Sequence, residues 1–261
     1  MFVYPEIDPV AIQLGPISVY WYGLSYAVGI IIGLWYAKRL INKHNLQLTE
    51  RDLDNFSVSV ILGMIFGGRL GYVLLYDFQK YLSNPQDILA IRDGGMSFHG
   101  AVIGIAISTL IFSWRNKIRL LLLTDLVTIV APIGIFLGRI ANFINCELYG
   151  RQTDFWTGVL FPFDSVPRHP SQLYEAFLEG VVLFFIMVLS SKKVHSEGFS
   201  TGVFLVFYSL FRIFCELFRE PDAQIGFIIA NVSMGQLLSI PLLLIGLMLI
   251  IMNKNVNRIK N

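Results

Sequence analysis

Arg139, Arg212 and Arg219 close apolar stretches of this chain, and each has polar company at helical spacing. "GRIANFINCELYG" (138–150) sets Arg139, Asn142, Asn145, Glu147 and Gly150 directly after the apolar run from Leu120 to Leu137. "FYSLFRIFCELFREPD" (207–222) sets Glu216 four residues after Arg212 and Arg219 three further on, so that the three share a helical face. A guanidinium in such surroundings has to be paired, solvated or used for binding. Its rigid fork of donors fits phosphate oxygens, and it stays charged when partly desolvated. With Arg69 in "GGRLGY" (67–72), four arginines stand against Glu147 and Glu216, and the positive excess suits a multiply charged anion.

Two plainer accounts compete. Arginines at helix ends snorkel to headgroups, and Arg212, Glu216 and Arg219 can satisfy one another as an ion-pair network. The second account suits Glu216, since a carboxylate between two guanidinium groups orients them and offsets their repulsion. For arginines on separate stretches a shared phosphate is the better reading, and in a membrane the nearest abundant source is a phospholipid headgroup.

His99 lies in "DGGMSFHGAVIG" (93–104). Histidine exchanges protons near neutral pH, which makes it the candidate base of this set, able to help deprotonate a thiol. The alternative is a satisfied structural histidine. Gly94, Gly95, Gly100 and Gly104 around it allow close approach of lipid or backbone, or serve as turn and helix-packing glycines. Tyr22 reads equally as a headgroup contact and as an interfacial aromatic anchor.

Other chemistries lack their signatures. The sequence holds no HExxH, no GxSxG elbow and no phosphate loop of the Walker type. Cys146 and Cys215 are too few for a disulfide framework and lack metal-ligand spacing. Ser171, after His169 and Pro170, reads as a helix cap. Neither a metal nor an organic cofactor is expected, and no basic stripe points to nucleic acid.

The elements that must carry these residues are membrane helices. Of 261 residues, 55% are hydrophobic and only 15% charged, against about 25% charged in soluble domains. A spanning helix needs roughly 20 apolar residues, and seven stretches qualify: about 19–40, 55–76, 98–114, 120–138, 172–190, 199–218 and 232–252. The expected fold is an all-α polytopic membrane protein with seven transmembrane helices in a single domain over 1–261.

Ends near 38–51, 115–119, 192–193 and 254–260 hold 12 of the 20 Lys and Arg, so they are expected on the cytoplasmic side. The N-terminus is then outside and the C-terminus cytoplasmic. Connections at about 77–97 and 139–171 form a small outer lobe, in which Trp156, Phe161 and Phe163 read as an aromatic belt. The opening "MFVYPEIDPV" lacks the basic and apolar regions of a cleaved presequence, so the first helix is expected to direct insertion. Under this topology Arg69, Arg139, Arg212 and Arg219, with Tyr22 and His99, gather on the outer side. A transporter for a phosphorylated metabolite would instead serve both faces from the midplane; an idle lipid-binding scaffold stays open.

These stretches resemble the prolipoprotein diacylglyceryl transferase family. The resemblance covers "WYGLSYAVG" (21–29), "GGRLGY", "DGGMSFHG", "GRIANFINCELYGR", "RHPSQLYEA" (168–176), "FRIFCELFREPDAQIG" (211–226) and "SMGQLLSIP" (233–241). Ala141 and Cys146 stand where the family usually has glycine or another small residue. The resemblance implies transfer of the sn-1,2-diacylglyceryl group from phosphatidylglycerol to the lipobox cysteine of a prolipoprotein, with release of glycerol phosphate. It implies a bacterial cytoplasmic-membrane location with the active site towards the outer leaflet. Partners would be phosphatidylglycerol, prolipoprotein signal peptides and membrane lipids. His99, Arg139 and Arg212 are then the expected catalytic residues. Tyr22, Arg69, Asn142, Asn145, Glu147, Gly150, Glu216 and Arg219 are the expected substrate-binding ones.

Overall fold

The structure, a computed structural model, describes residues 2–75, 78–89, 95–221, 226–229 and 232–259. Expectations resting on Gly94, on Lys260 and on residues 90–94 of the connection at about 77–97 fall outside these residues. The chain begins with β1 (Phe2–Val3) and the hairpin β2 (Val10–Leu14) and β3 (Ile17–Tyr20), then runs through α1 (Trp21–His44), α2 (Glu50–Leu75), α3 (Phe78–Ser83), α4 (Phe98–Asn116) and α5 (Leu120–Ile144). After β4 (Val159–Leu160), α6 (Ser171–Glu175) passes through a π-helical stretch, Ala176–Val182, into α7 (Leu183–Ser190). Then come α8 (Phe199–Cys215), β5 (Phe227–Ile229), β6 (Val232–Ser233) and α9 (Met234–Ile259).

The molecule is mostly helical, and each of the seven apolar stretches is built around helix. Among the described residues, five helices are long and apolar enough to cross a bilayer: Trp21–His44, Glu50–Leu74, Leu120–Ile144, Ser171–Lys193 and Met234–Asn253. α8 is shorter than its sequence stretch, because after Cys215 the backbone tightens: Leu217 and Phe218 donate to the carbonyls of Phe214 and Cys215. α5 runs unbroken through Pro132 and on to Ile144, so Arg139 and Asn142 are helical residues and not part of the connection expected to begin at 139.

The chain divides into two compact units, one of Ile41–Thr124 and one of Met1–Leu40 with Asp125–Asn261. In the first, α2 and α4 meet through glycines four apart, Gly63, Gly67 and Gly71 against Gly100 and Gly104. A Cβ on Gly104 would fall on the Gly63 carbonyl oxygen, and one on Gly71 would lie 2.7 Å from Gly100 Cα. Lipid offers no hydrophobic drive between helices, so packing at this closeness is what holds the pair. Here the packing reading of the glycines near His99 applies to Gly100 and Gly104. Ser97 caps α4, its hydroxyl accepting from Gly100 N at 3.2 Å.

In the second unit, buried Asp125 of α5 caps α8 from outside, accepting from the backbone of Gly198 and Thr201 at 2.7 Å each and from the Thr201 hydroxyl at 2.6 Å. These amides would otherwise be orphans of the helix start. Gly202 of α8 and Gly246 of α9 allow those two helices to close up, since a Cβ on Gly202 would lie 2.9 Å from the Gly246 carbonyl. β1 pairs in parallel with β4 over a small core of Tyr4, Val159 and Phe161, against which Phe143, Cys146 and Tyr149 pack. Phe161 therefore leaves the expected aromatic belt: it is 1% exposed, whereas Trp156 is 66% exposed.

Replacing Gly104 by alanine should cost about 1–3 kcal/mol of stability, the usual range for overpacking, read as a lower unfolding temperature in detergent by circular dichroism. A Cβ on Gly134 meets nothing within 4 Å, so Gly134→Ala should stay within ~0.5 kcal/mol of the parent or exceed it. Equal unfolding temperatures for the two variants would contradict the packing described here.

Candidate functional site

α5, α6 with its π-helical continuation, and the end of α8 bring their charged residues to one place. Arg139 on α5 reaches Glu175 through Nε at 2.8 Å and Glu179 through Nη2 at 3.5 Å. Arg212 on α8 reaches Glu175 through Nη1 at 2.7 Å and Glu179 at 3.7 Å, and its Nη2 pairs with Glu216. Arg219 places Nη1 3.4 Å from the same Glu175 oxygen and Nε 3.9 Å from Glu216. Glu175 and Glu179 are fully buried, while the arginine side chains keep some exposure, 17% for Arg139 and 13% for Arg212.

Glu216 is seated from a fourth element. Ser233, at the entrance to α9, donates to its Oε2 at 2.5 Å, and a Cβ at Gly235 would sit 2.5 Å from its other oxygen, so only glycine leaves it room. The expectation that Glu216 lies by two guanidinium groups matches this geometry. The charge count differs. Glu175 and Glu179 raise the carboxylates here to three against three arginines, so with all six ionised the cluster is neutral and carries no positive excess.

The loop after α5 is fixed by bonds to its own unit. Asn142 donates to Glu147 at 2.8 Å, and Gln172 to the Glu147 carbonyl at 2.7 Å. Ser171 donates to the Leu148 carbonyl at 2.9 Å and forms no side-chain cap on α6, which corrects its reading as a helix cap. Asn145 follows the last residue of α5, its N–H donating to the Ala141 carbonyl at 2.9 Å. Cys146 and Leu148 hold φ of 54° and 56°, the left-handed region that favours glycine. This is the physical reason a glycine suits position 146.

Gly150 bridges to Arg219 in an isolated ladder, and its N–H donates to the His169 carbonyl at 2.9 Å. A Cβ there would lie 2.5 Å from the His169 carbonyl and 2.6 Å from that of Phe218. Arg151 donates through Nε to the Arg219 carbonyl at 3.0 Å, which ties the segment after α8 to the loop after α5. Tyr22 on α1 is partly exposed and accepts from the Tyr26 hydroxyl at 3.3 Å.

Arg69 and His99 belong to the other unit. Arg69, 4% exposed, donates to the carbonyls of Asp87, Ile88 and Gly95 at 2.6, 2.9 and 3.0 Å and lies over the Tyr81 ring at 5.3 Å. It thereby anchors the segment that leads into α4. His99 stands exposed in the first turn of α4.

Comparison with known proteins adds to this geometry. The family model for "Prolipoprotein diacylglyceryl transferase" matches residues 9–252. The chain belongs to that family. A Rickettsia typhi protein named phosphatidylglycerol–prolipoprotein diacylglyceryl transferase is 54% identical over 252 residues, covering 95% of this chain and 97% of that protein. Rickettsia bellii and Rickettsia felis proteins of the same name are 54% and 52% identical, each covering 95% of this chain.

In this member of the prolipoprotein diacylglyceryl transferase family, sequence reasoning missed two partners of the arginines, Glu175 and Glu179. Neither was among the expected site residues. The available signal was two carboxylates four apart in "SQLYEAFLEGVVLFF" (171–185), an otherwise apolar run where an ionisable group needs a partner.

Acid should loosen the loop region through two groups outside the spanning helices. The Arg168 guanidinium, 2.5 Å from Asp164, holds that carboxyl below its usual range, and desolvation lowers the His169 imidazole from its ordinary value. For each, the stability present above the unfolded-state pKa is lost as pH falls towards the folded one. His169 acts first, from about pH 6.5 downward, and Asp164 below about pH 4. Unfolding temperatures measured between pH 8 and pH 3 should fall in that order, and a flat profile would contradict both assignments. Gly150→Ala should destabilise the loop at every pH, seen as faster limited proteolysis.

Proposed function

We propose that this chain transfers the sn-1,2-diacylglyceryl group of phosphatidylglycerol to the lipobox cysteine thiol of prolipoproteins, the first step of lipoprotein maturation. The observation that carries the reading is the convergence of Arg139 and Arg212, from separate helices, on one buried carboxylate in a chain of this family. In the reaction the cysteine sulfur attacks the glycerol carbon bonded to the phosphate oxygen. A carbon–sulfur bond forms, the carbon–oxygen bond breaks, and its electron pair leaves with the phosphoryl group. The products are a thioether and glycerol phosphate.

Negative charge builds on the departing phosphate, and Arg139 and Arg212 are assigned to bind and stabilise it. The neutral count of the cluster does not oppose this, because binding is carried by directed donors: among the described residues Arg139 Nη1 carries no hydrogen bond within the protein. Removing one well-placed electrostatic donor costs about 3–4 kcal/mol of barrier in enzymes. His99 is assigned to take the thiol proton, directly or through water. Tyr22, Arg69, Asn142, Asn145, Glu147, Gly150, Glu216 and Arg219 are assigned to positioning the headgroup or the groups that hold it.

The same proposal includes a single transmembrane domain with seven spans, the N-terminus outside and the C-terminus cytoplasmic, in the bacterial cytoplasmic membrane. In this proposal the connection that follows α5 lies on the outer side and the site opens to the outer leaflet. The distribution of Lys and Arg supports this orientation. Prolipoprotein signal peptides and phosphatidylglycerol are the partners, and acyl tails remain among the helices.

Purified protein incubated with labelled phosphatidylglycerol and a thiol-containing signal peptide should yield a thioether-linked diacylglyceryl product. Arg139→Ala and Arg212→Ala should each abolish it in protein that still folds and inserts, and full activity in both would remove the catalytic assignment. His99→Gln should lower the rate and change its pH profile; an unchanged rate and profile would mean that another group handles the proton.

A further inference from the structure

Glu175 touches all three guanidinium groups, and it does so from a helix that carries none of them. Its two short contacts, 2.8 Å to Arg139 Nε and 2.7 Å to Arg212 Nη1, use a different oxygen for each arginine, Oε2 for the first and Oε1 for the second. Arg219 adds a third, longer contact at 3.4 Å to the oxygen that Arg212 uses. The carboxylate is 0% exposed. Glu179, one turn on, stands at 3.5 and 3.7 Å from the same two arginines, and its Oε1 accepts no hydrogen bond. Glu216 pairs with Arg212 and stands 3.9 Å from Arg219 on its own stretch of chain.

We infer that Glu175 is a positioning residue for the transfer reaction: it sets the planes of Arg139 and Arg212 so that their remaining donors meet the phosphate as its charge grows. This rests on the function proposed above. An arginine side chain has four rotatable bonds before its planar fork, and a fork left to wander loses hydrogen bonds that exist only at one orientation. A buried carboxylate held against both forks limits that freedom in advance of the lipid. Its Oε1 accepts a hydrogen bond from Arg212 Nη1, and its Oε2 meets Arg139 Nε as an ion pair at 2.8 Å without a hydrogen bond, while Arg139 Nη1 and Arg212 Nε carry no hydrogen bond within the protein among the described residues. Placement on α6 means that the chain after the signature loop, tied down by Ser171 and Gln172, sets the reach of both arginines at once.

This role makes a demand that a purely structural ion pair does not. Neutralising Glu175 leaves the cluster more positive, so capture of an anionic headgroup is kept or strengthened while alignment in the transition state is lost. Glu175→Gln should therefore lower kcat about tenfold or more with KM for phosphatidylglycerol unchanged or reduced, because the lost interaction is one made mainly in the transition state. Glu175→Asp, which keeps the charge and shortens the reach, should recover part of that kcat. Glu179→Gln should cost less than Glu175→Gln, its contacts being longer.

The test is steady-state kinetics of detergent-purified variants with phosphatidylglycerol vesicles and a lipobox peptide, with unfolding temperature measured on each sample. A kcat within about twofold of the parent for folded Glu175→Gln overturns the inference, as does a folded variant in which KM rises and kcat stays. Should Glu175→Gln fail to fold, Glu175→Asp decides: a lowered kcat at unchanged KM supports the role, and parental kinetics overturn it. Absence of turnover in the parent protein would instead defeat the functional reading beneath it.

Discussion

A carboxylate buried among three guanidinium groups is the constraint around which the larger unit is arranged. Burying any one of these charges alone would be very costly, and burying them together is tolerable only if every fork and carboxylate finds its geometry. That requirement ties the late turns of α5, the whole of α6 and the end of α8 to one another. It also explains distant features. Ser233 and Gly235 exist at the mouth of α9 as a seat for Glu216. Asp125 pins the far end of α8 by gathering the amides of Gly198 and Thr201, so the helix that carries Arg212 is held at both ends.

The connection after α5 extends the same logic into irregular backbone. Irregular chain has to satisfy its polar groups where no regular ladder exists. Here side chains of the site elements do so: Gln172 donates to the Glu147 carbonyl, Ser171 to that of Leu148, and Arg151 to those of Arg219 and Glu216, while Asn142 holds the Glu147 carboxylate. The signature that looked like a row of ligand-binding residues is thus partly a set of braces that keeps the arginines' helices in register. In the smaller unit Arg69 does a related job, spending its donors on three carbonyls ahead of α4.

Much of the fold was legible because its causes are local. Apolar runs of spanning length became helices, Gly100 and Gly104 at a spacing of four became a packing face, and Arg212, Glu216 and Arg219 fell on one side of their helix as their spacing requires. Boundaries were less legible. α5 runs past 138 because Arg139 and Asn142 are paired within the protein and can remain helical, and α8 stops at Cys215 where the backbone turns towards the loop. Phe161 shows the same limit: its neighbours are as aromatic as it is, yet it is buried because β1 brings Tyr4 over it from the other end of the unit.

By itself the sequence determined the membrane class, the family and the short list of arginines, since hydropathy, motif spacing and charge are properties of neighbours along the chain. Only the tertiary structure decided what those arginines hold. Glu175 lies 36 residues after Arg139 and 37 before Arg212, and no periodicity links positions that far apart. Their pairing comes from helix packing, which places one acidic side chain between two basic ones carried by separate helices.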